Sequence, residues 1–130
     1  TAMKIPLAST VLLSARNTME RKHADLAKFM RAYAEAVHYF LTNREGSVQI
    51  VAKYTKVDDR DVVAHSIESE LDAVERTLQI DPKGIELILA LMSKSMPQGP
   101  AVKTEEFYDS RFTNELRDSG FLKKLWGEKL

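Results

Sequence analysis

Between Asp25 and Asn43 apolar residues return every three or four positions: Leu26, Phe29, Met30, Tyr33, Ala34, Val37, Phe40 and Leu41. At 3.6 residues per turn they project from one side of an α-helix, while Lys28, Arg31 and Glu35 fall on the other. A stripe this long has to be covered, so the rest of the chain is constrained to supply apolar faces that pack on it. With 130 residues and no interior linker, the expectation is one domain, mainly α.

The later segments repeat the pattern with their own punctuation. Asn43 is placed to end the long helix and cap the next, "REGSVQIVAKYT", whose stripe is Val48, Val51 and Ala52. In "VDD", Asp58 is the expected cap of a helix running through Val62, Val63, Ile67, Leu71 and Val74, with Asp59 and Asp61 near its positive end. Asp81 caps and Pro82 opens a helix whose expected buried face is Ile85, Ile88, Leu89 and Met92. After the loop "SMPQGPAVKT", Thr104 or Asp109 starts the last helical segments. In "DSRFTNELRDSGF", Phe112 and Leu116 make a four-residue apolar step, and Gly120 suits the left-handed position after a helix. Phe121, Leu125 and Trp126 then act as anchors.

The beginning of the chain reads differently. A proline-marked extended segment leads into Thr10 to Ala15, a short apolar run with β-branched members, which gives one short N-terminal strand. The fold class expected is therefore that strand plus five or six amphipathic helices. A strand without a second strand needs a partner from elsewhere, and a homodimer of this chain, pairing strands or helix faces, is one expected way of covering it.

Lys plus Arg equals Asp plus Glu at 19 each, so no overall field gathers nucleic acid or an anionic membrane, and no nucleic-acid partner is expected. Without cysteine there are no disulfides, thiolate metal sites or cysteine nucleophiles. No apolar run approaches the roughly 20 residues that span a bilayer, and the first ten residues lack the layout of a signal peptide.

Few residues carry chemistry. His65, Glu68 and Asp72 lie at one-turn steps, the spacing of metal ligands or an acid-base pair, but a solvated helix face explains them more simply. His38 adjoins the stripe of the long helix and suits half-buried packing, and His23 belongs to that helix's start. The aromatic residues fall mostly at core spacing, with Tyr39 off the stripe and unexplained. Ser9 and Thr10 combine hydroxyls with free backbone N–H groups in an extended segment, which suits either a polar ligand or ordinary loop hydrogen bonding. There is no glycine-rich phosphate loop, nucleophile elbow or zinc motif, so no enzyme, metal or cofactor is expected.

Taken in order, "IPLASTVLLSARNTMERKHADLAKFMRAYAEAVHYFLTNREGSVQIVAKYTKVDD" resembles the later part of solute-binding proteins of ABC importers, in the nitrate, sulfonate, taurine and thiamine-precursor group. "DPKGIELILALM" is similar to that family's late helix, and "FYDSRFTNELRDSGF" to its closing pattern. Each motif is degenerate alone, and their collinear order across essentially the whole chain is what carries the resemblance.

The resemblance implies a two-lobed α/β fold of the type II periplasmic-binding-protein kind, exported to the periplasm or beyond the cytoplasm. Such a protein captures a small solute and delivers it to the membrane permease of an ABC importer. It also implies that this chain is the C-terminal portion of such a protein, with most of the parallel sheet and most solute contacts upstream of Thr1. Ser9 and Thr10 would then stand at the edge of the ligand cleft near the hinge. Two competing expectations remain. One is an independent helical interaction or sensor module that receives a partner helix in an apolar groove. The other is part of an enzyme similar to pyrimidine-forming relatives of the same fold group, for which His65 and Glu68 are the one candidate pair.

Overall fold

The long apolar stripe does form one helix, and it organises the rest. In the computed structural model, which describes residues 11–95 and 103–127, α1 (Arg16–Arg21) is followed by α2 (His23–Thr42), the longest element. Lys22 breaks the helical path between them with φ −120° and ψ 30°, yet backbone bonds from Lys22 N to Thr18 O and from Leu26 N to Lys22 O keep the two in register. Next come α3 (Arg44–Thr55), α4 (Arg60–Glu70) with a 3-10 turn at Leu71–Ala73, and α5 (Pro82–Ser95). A second 3-10 turn at Thr104–Glu106, α6 (Arg111–Asp118) and α7 (Phe121–Trp126) complete the described chain. It is mainly helical, with no strand among the described residues.

Local capping sets the boundaries. Asn43 closes α2 through its backbone N–H to Tyr39 O, and its side chain accepts from Gly46 N at 2.9 Å, so one residue ends a helix and begins the next. Asp59, not Asp58, caps α4, its Oδ1 accepting from Asp61 N at 3.0 Å and Val62 N at 3.1 Å. The reason is geometric: Arg60 is the first helical residue, and only the residue immediately before it reaches the second and third N–H groups. Asp81 accepts from Lys83 N at 2.9 Å, with Pro82 in the first position of α5 as expected.

Among the described residues, two apolar clusters hold α2, α3, α4, α6 and α7. In the first, Ala34 of α2 meets Leu116 of α6 and Leu122 and Trp126 of α7, flanked by Met30, Val37, Leu41, Leu78, Phe121 and Leu125. The small side chain of Ala34 lets α6 and α7 come close to α2. Leu122, at 1% exposure, is the most deeply buried large side chain. In the second, Val48 of α3 packs with Val63 and Ile67 of α4, and Phe40 of α2 leans onto it. Thus α2 serves both clusters from neighbouring edges of its stripe.

Gly120 joins α6 to α7 with φ +73° and ψ 5°, the left-handed conformation expected for it. Its N–H reaches Arg117 O at 2.9 Å, while Ser119 N reaches Glu115 O at 3.0 Å, so orphan carbonyls of α6 are satisfied. Lys56 ends α3 in the same region of backbone space without being glycine, with φ 57°.

Three further expectations, beyond the cap of α4, meet a different outcome. Residues 11–15 have no regular secondary structure and are exposed, with Leu13 at 90%, so the strand expected over Thr10 to Ala15 is not seen there; Thr10 itself lies outside the described residues. A strand needs a hydrogen-bonded neighbour, and none is present among the described residues. Met92, expected to be buried, is 49% exposed, and Ile85, Ile88 and Leu89 are only half-buried, because α5 packs chiefly on the 3-10 turn at Thr104–Glu106. Val62 is exposed, while Val63 and Ile67 form the buried edge of α4, and Leu71 and Val74 lie beyond its helical end.

Candidate functional site

Among the described residues, those singled out for chemistry do not converge. Ser9 and Thr10 lie outside the described residues. His65 is almost fully solvated, with Nδ1 4.0 Å from Glu68 Oε2, and Glu68 is committed instead to the Arg44 guanidinium. The hydrogen bond from Arg44 draws the Glu68 carboxyl below its ordinary range, the opposite of what a general acid at neutral pH requires. Asp72 lies beyond α4, in the 3-10 turn. Among the described residues no group of three or more His, Asp or Glu side chains is arranged to hold a metal ion.

The other two histidines have structural partners. His38 is half-buried, its ring meeting Trp126 edge-on at 4.7 Å, and Arg76 lies 5.4 Å from the same indole. His23 stacks on Phe112 at 4.9 Å and places Nε2 2.8 Å from Glu115, tying the start of α2 to α6. At that corner Asp109 accepts from Arg111 N and, through both oxygens, from its guanidinium at 2.7–3.0 Å. These bonds hold the Asp109 carboxyl below its usual range. Asp109 therefore organises the first turn of α6 rather than presenting a free carboxylate.

Hollows on the described surface include the following two. An open cleft of about 470 Å3 at the starts of α3 and α4 is lined by Arg44, Glu45, Val48, Arg60, Asp61 and Ala64. Its charges are partly spent inside the protein, Arg44 on Glu68 and Glu45 on Gln49. A groove of about 390 Å3 between α2 and α3 is lined by Ala36, Tyr39, Phe40, Ser47, Ile50 and Val51. Ser47 Oγ donates to the Phe40 carbonyl at 3.2 Å, so its hydroxyl is already engaged. The groove can take apolar side chains and has no acid or base with which to do chemistry.

Comparison with protein-family models, with curated proteins and with solved structures gave no match.

Tyr39, off the apolar stripe of α2, and Ile50 of α3 together form the rim of the α2–α3 groove. A signal was available, since Ser47, Ile50, Val51 and Tyr54 follow three- and four-residue steps along α3. The bond between Arg44 and Glu68 spans 24 positions and joins two helices, and no local pattern announces it.

Proposed function

We propose that this chain works as part of a solute-binding protein of an ABC importer, outside the cytoplasm, capturing a small organic or oxyanion solute of the nitrate, sulfonate, taurine or thiamine-precursor kind and passing it to a membrane permease. The collinear motifs suggest the reading. The observation that carries it is the apolar surface left uncovered on α5, where Leu91 and Met92 are 53% and 49% exposed, together with Leu12 and Leu13 ahead of α1. Further protein packed on these side chains would remove them from water. In a two-lobed binding protein these helices clothe one lobe, and the α5 face lies against the remainder of that lobe.

The test is calorimetric titration of the product of the complete open reading frame, and separately of the 130-residue chain, with nitrate, taurine, an alkanesulfonate and a thiamine-type aminopyrimidine. The complete product is expected to bind one of these solutes at micromolar concentration or below, and the 130-residue chain to bind none. Tight binding by the short chain, or no binding of any of the four by the complete product, overturns the proposal.

A second reading, an independent helical interaction module, is favoured by the groove between α2 and α3, whose apolar walls suit the face of an amphipathic helix. Loss of an interaction on Ile50→Lys, with solute binding absent throughout, would select it.

A further inference from the structure

We draw no further inference here: the strongest candidate, the apolar groove between α2 and α3 rimmed by Tyr39 and Ile50, already carries the second reading above, and nothing in the structure shows what covers it.

Discussion

The hydroxyl of Tyr39 occupies the space that a β-carbon on Gly46 would need, so the absence of a side chain at Gly46 is what lets this ring fold back from α2 over the first turn of α3. The same β-carbon would come 3.0 Å from Asn43 Oδ1, the atom that caps α3. Gly46→Ala is therefore expected to displace the ring and press on the cap, which offsets at least part of the roughly 1 kcal/mol that alanine gains over glycine within a helix. In a Tyr39→Ala background the same change should become less harmful, giving a coupling of at least about 0.5 kcal/mol in urea unfolding. Strict additivity of the two changes would show that the ring and the glycine do not share that space.

Gly120→Val is expected to destabilise the fold by about 1 kcal/mol or more, since β-branched side chains tolerate positive φ poorly. No heavy atom lies within 4 Å of the added β-carbon, so the penalty is conformational rather than steric. Gly120→Asn should accordingly cost less, asparagine being the better tolerated non-glycine residue in this region. Thermal unfolding of both variants checks the order, and equal losses would point to a steric cause.

Leu122→Ala removes a side chain enclosed by Ala34, Leu116 and Trp126 and should cost about 2–5 kcal/mol, a transfer loss plus a cavity. Leu13→Ala, at a position 90% exposed, should stay within about 0.5 kcal/mol of the parent. Chemical denaturation compares the two leucines, and similar effects would contradict the placement of the core.

Asp109 has its folded pKa lowered, first by the Arg111 side-chain bond and then by the Arg111 backbone N–H. A lowered carboxylate contributes stability that is complete above the unfolded value, about 3.9, and is lost as pH falls through the folded value below it. The melting temperature of Asp109→Asn should therefore lie below that of the parent at pH 7, with the gap narrowing as pH drops under about 4. A gap that is constant across pH would mean that the charge of Asp109 plays no part.

Amide protons of α5 are expected to exchange faster than those in the middle of α2 or in α6, because α5 has little apolar cover of its own. Mass-spectrometric hydrogen exchange on the 130-residue chain measures this directly. If the proposed function holds, α5 becomes protected in the product of the complete open reading frame. Equal protection of α5 in both would remove the uncovered face as support for that proposal.

Much of the helical layout was legible because its signals are local. Asn43, Asp81 and Gly120 act on backbone groups a few residues away, and each does what its chemistry and position require. The cap of α4 was displaced by one residue because Asp58 and Asp59 are chemically alike and only the backbone path through Arg60 distinguishes them. The candidate site was far less legible. Histidine and glutamate at one-turn spacing describe a helix face equally well whether it is catalytic or solvated, and Glu68 was claimed by Arg44 from another helix.

The sequence by itself determined where the longer helices run and how several of them stop, since a bond from residue i to i+4 and an apolar period of 3.6 are both written within one segment. It did not determine which apolar residues would be covered. Leu116, Leu122 and Met92 all lie at helical core spacing, yet the first two are buried beneath α2 while Met92 stands half in solvent. Burial depends on what another segment brings across space. Only the tertiary structure decided that Ala34 would receive α6 and α7, that Glu68 would be held by Arg44, and that α5 would keep an open face.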